Sequence, residues 1–208
     1  SSPACSASSV TDSLHGLLLE SAERTPSAIA LEWREEQWSY EAFVGRVASL
    51  AASWVADGVE PGIRIAIALS RGPECLAAIY AASWLGCPYA PLDVTWPLAR
   101  IAGAVEGFQA GAWVVTDSLR GAIIQAHPGW SPPSRQLHVG QSGGVDVSLA
   151  PSPSPGGEQP AYALFTSGST GRPKGVMHSH ASALAFIEWA RETSGLTSRS
   201  RVGGHASV

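Results

Sequence analysis

Cysteine is scarce in this chain. Its three cysteines, Cys5, Cys75 and Cys87, lie far apart and are odd in number. That excludes the dense disulfide framework of a small secreted scaffold and the paired CxxC spacing of a zinc site. They read as small buried hydrophobes in a reducing compartment. Charge is sparse as well, with 13 Lys and Arg against 17 Asp and Glu and a net charge of −4. A nucleic-acid binder would need a basic face to meet phosphates, and a membrane-surface helix would need a Lys/Arg run; neither is written here. The longest apolar run, Cys75 to Leu85, is well short of the ~20 residues that span a bilayer. The opening residues, Ser1 to Val10, lack the basic start and apolar core of a signal peptide. No initiating Met precedes them, so a trimmed or fragmentary start and a cytoplasmic location are expected, with residues 1–11 as a disordered leader. No repeat of 20 to 50 residues is present.

What is abundant is core-forming material: 45% hydrophobic residues and eight tryptophans in 208 residues. That suits one large α/β unit or two small ones. Ala28–Trp33 and Gln37–Tyr40 are β-prone runs separated by Arg34-Glu35-Glu36, which reads as a hairpin. Ser39 then caps a helix in which Tyr40, Phe43, Val44, Val47, Leu50, Ala51, Trp54 and Val55 follow i, i+3, i+4 spacing up to the stop at Gly58. Ile63–Leu69 suits a strand buried on both faces. Pro73 opens a helix running to about Leu85 and ending at Gly86, and another helix is marked by Leu98, Ile101, Ala102 and Val105. Ala112–Thr116 reads as a strand, Ser118–Ala126 as a helix and Arg135–Val139 as a weak strand. This alternation predicts an α/β fold, a parallel or mixed sheet layered with helices. The Pro-, Ser- and Gly-rich stretch of residues 140–160 breaks the rhythm and reads as an exposed loop within one unit spanning residues 12–208.

After that loop, the strand-like Tyr162–Phe165 runs into Thr166-Ser-Gly-Ser-Thr-Gly-Arg-Pro-Lys-Gly175. Four hydroxyl side chains flank or separate the first two glycines. Gly168, Gly171 and Gly175 are expected to allow positive φ and close approach of a ligand. Backbone N–H groups, the hydroxyls, Lys174 and Arg172 converge on one kind of ligand, phosphate oxygens. The segment is not a GxxxxGK[ST] loop, because Pro173 stands five residues after Gly168 and Gly175 follows Lys174. The GxGxxG fingerprint is absent too.

The ten residues from Thr166 to Gly175 resemble, at every position, the phosphate-loop signature [Ser/Thr]-Ser-Gly-[Ser/Thr]-Thr-Gly-x-Pro-Lys-Gly of the adenylate-forming superfamily. That group includes acyl-CoA synthetases, luciferases and the adenylation domains of nonribosomal peptide synthetases. Two further stretches are similar to the same family, in the same order. Trp38-Ser-Tyr40-Glu-Ala-Phe43 resembles its early Leu-Thr-Tyr-x-Glu-Leu element. Trp84-Leu-Gly-Cys-Pro-Tyr-Ala-Pro-Leu-Asp93 resembles its Lys-Ala-Gly-x-Ala-Tyr-Val-Pro-Ile-Asp element, and with Trp96-Pro97 and Arg100-Ile101 behind it favours amino-acid-activating members. The resemblance covers roughly Asp12 to Val208.

The resemblance implies the N-terminal portion of an enzyme that joins a carboxylic acid, here an amino acid, to ATP as an acyl-adenylate. Pyrophosphate is released and the acyl group passes to a thiol, such as the phosphopantetheine arm of a carrier protein. It also implies that Thr166, Ser167, Gly168, Ser169, Thr170, Gly171, Lys174 and Gly175 hold the ATP phosphates. The aromatic-Asp element for the substrate's amino group, the Mg²⁺ carboxylate and the lysine that meets the substrate carboxylate would all come later in such enzymes. No catalytic residue is therefore expected in this chain, and the chain alone is expected to be inactive. An acyl-CoA synthetase portion and a non-catalytic nucleotide-binding remnant stay open as alternatives. Gly175–His180 is expected to form the next strand and Ala183–Thr193 a helix, with Phe186, Trp189 and Ala190 in the core. His178 and His180 share a strand face but lack a third ligand, so no metal site is expected; His180 reads as structural.

Overall fold

The computed structural model describes residues 12–140, 156–166 and 173–204. The leader (residues 1–11), most of the Pro-rich stretch and Ser167–Arg172 lie outside the described residues, as does Cys5. The chain begins with α1 (Leu14–Arg24), the hairpin of β1 (Ile29–Trp33) and β2 (Glu36–Ser39), and α2 (Tyr40–Ala56). Then come β3 (Ile65–Ala68), α3 (Pro73–Trp84), β4 (Tyr89–Pro91), α4 (Leu98–Phe108), β5 (Ala112–Val115), α5 (Asp117–Ala126) and β6 (Arg135–Leu137). It continues with β7 (Pro160–Thr166), β8 (Lys174–Ser179) and α6 (His180–Thr193).

Six strands form one mixed sheet in the order β6-β5-β3-β4-β7-β8. The first five run parallel, and β8 closes the edge antiparallel to β7. Because strand side chains alternate between faces, β3 and β5 feed two cores at once. Ile65, Ile67, Ala112 and Val114 pack with α2 and α3 on one face. Ala66, Ala68, Trp113 and Val115 pack with α4 on the other. Ala66 sits in register beside Trp113, so a small side chain on the central strand makes room for the largest one on its neighbour. The expected α/β layering is therefore the one observed.

Local signals account for most elements. Ser39 Oγ accepts from the Ala42 N–H at 3.1 Å, capping α2. Pro73 begins α3, where its missing N–H costs nothing. Arg34 takes the left-handed conformation that turns β1 into β2. Trp54, fully buried from α2, donates its indole N–H to the His138 carbonyl at 3.2 Å and so ties the end of β6 to the helix layer. Cys75 and Cys87 are buried, and burial raises each thiol to about 11, which fits the expected packing role.

The core positions expected on α6 are not the ones observed. Phe186 is 61% and Trp189 59% exposed, and Ala190 is only half-buried. On α6 the residues that turn inward are His180 and Ala183, because the helix packs by its first turns, while its later turns leave Phe186, Ile187 and Trp189 exposed. Among the described residues no helix is long and apolar enough to cross a membrane.

Candidate functional site

The β7–β8 hairpin is paired from Tyr162↔His178 to Thr166↔Lys174. That last pair ends the described ladder. Since β7 runs parallel to β4, this end of the hairpin lies at the carboxyl edge of the parallel strands, beside the turn that follows β4. At this edge the chain departs from β3 to α3 on one face and from β4 to α4 on the other. Neighbouring strands whose connections diverge in this way open a crevice suited to ligands.

Of the expected phosphate-loop residues, the structure brings together Thr166, Lys174 and Gly175. Ser167, Gly168, Ser169, Thr170 and Gly171, with Arg172, lie outside the described residues. Thr166 and Lys174 are both exposed at the hairpin end. The Thr166 hydroxyl stands 3.5 Å from the Lys174 carbonyl, at the limit of a hydrogen bond. Lys174 is the only lysine in the sequence.

Gly175 departs from the expectation of positive φ. It is not among the positive-φ glycines and forms an ordinary antiparallel pair with Phe165. Space favours its lack of a side chain: a Cβ there would stand 3.0 Å from Phe165 Cζ and 3.1 Å from Cε1, so the ring would have to give. The same ring also faces Gly107 of α4, where a Cβ would stand 3.8 Å from Phe165 Cε1, an ordinary contact.

His178 and His180 are separated by the start of α6. His178 stacks on Tyr162 with ring centroids 4.9 Å apart, and Tyr162 continues the ladder to Tyr89 at 5.9 Å. His180 is 2% exposed, and its Nδ1 accepts from the Leu14 N–H at 3.3 Å. It therefore holds α1 against the start of α6, the structural role expected of it. Beside it, His15 is also 2% exposed. Its two ring nitrogens lie 3.2 Å from Ser13 Oγ and 3.1 Å from Ser83 Oγ. Burial first, and the neighbouring His180 second, lower its pKa to about 4; burial lowers His180 as well. No group of three His, Cys, Asp or Glu suited to a metal occurs among the described residues.

A contribution not read from the sequence comes from α4. Gly103 and Gly107, four residues apart on one helix face, lie against Pro173 and Phe165. The GxxxG spacing was the available signal, but it reads as close helix packing without saying against what.

Against known proteins, a family model described as AMP-binding enzyme matches residues 18–206. The AMB antimetabolite synthetase AmbB of Pseudomonas aeruginosa is 34% identical over 177 residues, covering 85% of this chain and 14% of that protein. The L-proline–[L-prolyl-carrier protein] ligase of Pseudomonas fluorescens is 32% identical over 206 residues, covering 94% of this chain and 40% of that protein. Among solved structures, the AMPPNP-bound form of the nonribosomal peptide synthetase FmoA3 superposes with a TM-score of 0.75 at 24% identity, covering 92% of this chain and 19% of that one. The chain thus spans well under half the length of each of these proteins.

Proposed function

The chain belongs to the AMP-binding enzyme family, the ATP-dependent adenylate-forming ligases, and from that premise we propose that it supplies the ATP-phosphate site of an enzyme that activates an amino acid as its adenylate. The observation that carries this reading is the placement of Thr166, Lys174 and Gly175 at the end of the β7–β8 hairpin, on the carboxyl edge of the sheet. The preference for an amino acid rests on Tyr89-Ala-Pro-Leu-Asp93 and on the synthetase relatives. The acceptor in this reading is the thiol of a carrier protein.

In the proposed reaction a carboxylate oxygen attacks the α-phosphorus of ATP. The bond from that phosphorus to the bridging oxygen breaks, and pyrophosphate leaves. The barrier lies in the charge that builds on the leaving group. Residues of this chain would meet that charge: Ser167, Ser169, Thr170 and Thr166 through hydroxyl and backbone donors, Lys174 as a fixed cation. Gly168 and Gly171 would let the backbone come close. Mg²⁺ would screen the same phosphates, with its carboxylate ligand expected from a segment beyond Val208; the described residues hold no group of three His, Cys, Asp or Glu suited to a metal. The 1–11 leader, the single unit of residues 12–208 and its exposed 140–160 loop belong to the same reading.

Two measurements on the 208-residue chain test the proposal together. Titration calorimetry is expected to show MgATP binding that is lost in Lys174→Gln. Amino-acid-dependent ATP–pyrophosphate exchange is expected to be absent, because the amino-group and carboxylate contacts would come from segments that the resemblance places beyond Val208. Robust exchange would refute the division of labour, and no MgATP binding would refute the site.

A further inference from the structure

The first elements of the chain stand against α2 and α3 without filling all the space between them. Helix α1 is tied to α3 at its first turn, where His15 Nδ1 lies 3.1 Å from Ser83 Oγ. The β1–β2 hairpin is tied instead to the start of α2: the Tyr40 N–H donates to the Ala28 carbonyl and the Glu41 N–H to the Pro26 carbonyl, each at 3.0 Å. Where these elements meet they leave a cavity of about 290 Å³. Its apolar wall is Leu17 and Leu18 of α1, Ala30 and Leu31 of β1, Phe43 of α2 and Leu76 of α3. Leu76 is the most exposed of these, at 37%, and marks the rim.

Three hydroxyl side chains complete the lining: Ser21, Tyr40 and Tyr80. The Ser21 hydroxyl donates to the Leu17 carbonyl at 2.9 Å, so only its lone pairs remain for another molecule. The two phenols form no hydrogen bond to a described residue. Their oxygens are not sealed off either. Among the described residues, the buried side-chain polar atoms without a partner are ring nitrogens of Trp84, Trp113, His127 and Trp130. Tyr40 and Tyr80 are thus donors that border open space. Burial first, and Tyr40 second, raise the Tyr80 phenol above its ordinary value, which keeps its proton in place at neutral pH. Phe43 meets the Tyr80 ring edge-on, with centroids 5.7 Å apart and planes at 88°, and fixes it in the wall. No Lys, Arg, His, Asp or Glu lines the cavity. A carboxylate or an ammonium entering it would lose water without gaining a counter-charge.

We propose that this cavity binds a small neutral aromatic molecule carrying one hydrogen-bond acceptor, such as an aryl alcohol, with its ring among the leucines and Phe43 and its oxygen on the Tyr80 hydroxyl. The size agrees. An engineered apolar cavity of about 150 Å³ holds benzene, so about 290 Å³ takes one ring with a polar substituent. The composition agrees as well: a mostly apolar lining gives affinity, and a few polar groups set orientation. No residue of the run from Thr166 to Gly175 lines this cavity, so the site stands independently of the phosphate-loop reading.

The test is a ligand-observed NMR titration of the 208-residue chain with benzyl alcohol, toluene, benzoate and benzylamine, using wild type, Tyr80→Phe, Leu76→Trp and Lys174→Gln. Wild type is expected to bind benzyl alcohol saturably in the millimolar range or tighter, toluene more weakly, and the two charged analogues not at all. Tyr80→Phe keeps the ring and removes the hydroxyl, so it should weaken benzyl alcohol about three- to tenfold and leave toluene unchanged. Leu76→Trp crowds the rim and should weaken both. Lys174→Gln should change neither. If Leu76→Trp does not fold, Tyr80→Phe, which deletes a single oxygen, carries the test alone. Absence of saturable benzyl alcohol binding by wild type would overturn the proposal. So would benzoate or benzylamine binding as tightly as benzyl alcohol, or Tyr80→Phe binding benzyl alcohol like wild type.

Discussion

Gly175→Val is expected to reduce MgATP affinity at least tenfold while leaving the chain folded. The first added carbon meets Phe165 at 3.0 Å, tighter than most such contacts, so the ring or the strand must shift to admit it, and the branched side chain adds two more carbons beside the ring. The strain is relieved by parting the Phe165↔Gly175 pair, one step from the pair that closes the proposed phosphate loop. Overpacking of this kind costs about 1–3 kcal/mol, which a domain stable by roughly 5–15 kcal/mol survives. A displacement of ~1 Å at the loop is enough to lose a preorganised site. The account also demands a rescue. Phe165→Leu removes the ring that the new side chain strikes, so Gly175→Ala combined with Phe165→Leu should bind MgATP better than Gly175→Ala alone. Equal affinity of Gly175→Val and wild type would show that this pair does not govern the site.

Acid should loosen the junction of α1, α3 and α6. His15 and His180 are neutral and buried there, and their folded pKa values lie below the ordinary 6.5. The unfolded chain therefore binds protons that the folded chain refuses. Stability is full above about pH 6.5 and is lost as the pH falls toward 4, the folded value of His15. For His15 the loss is on the order of 3 kcal/mol. A proton on His180 Nδ1 would also oppose the Leu14 N–H that it now accepts. Urea midpoints at pH 7.5 and 4.5 should differ markedly in wild type and much less in His15→Gln. An identical pH dependence in the two proteins would contradict the role of the pair.

The parts of this fold that were legible in the sequence are those whose partners are close in the chain. The α2 face from Phe43 to Trp54 announces itself by spacing, and Ser39 and Gly58 mark its ends. Helix α1 went unread, because only His15, Gly16 and Leu18 of it are buried and its ties run to Ser83 and His180, far along the chain. Strand β4 went unread for a different reason: two prolines within four residues argue against a central strand. The sheet tolerates Pro91 because Leu92 donates to Ile67 at 2.8 Å and alternate residues turn toward opposite neighbours. Pro91 thus faces β7, whose recorded pairing with β4 is Tyr89↔Tyr162. The hydrophobicity of Phe186 and Trp189 predicts core positions, but it does not say whether a helix has a second layer to pack against.

The candidate site divides the same way. The run from Thr166 to Gly175 is local and was visible as a phosphate-binding pattern. The close approach of the Phe165 ring on the facing strand to Gly175 is a tertiary fact.

The most direct test uses the fact that Lys174 is the only lysine in the sequence. The chain is treated with an amine-acetylating reagent with and without MgATP, and modification at Lys174 is read by peptide mass spectrometry. If Lys174 grips the nucleotide's phosphates, MgATP and tripolyphosphate will slow its acetylation severalfold while adenosine leaves it unchanged. Acetylation of Lys174 at the same rate with saturating MgATP as without would contradict the account.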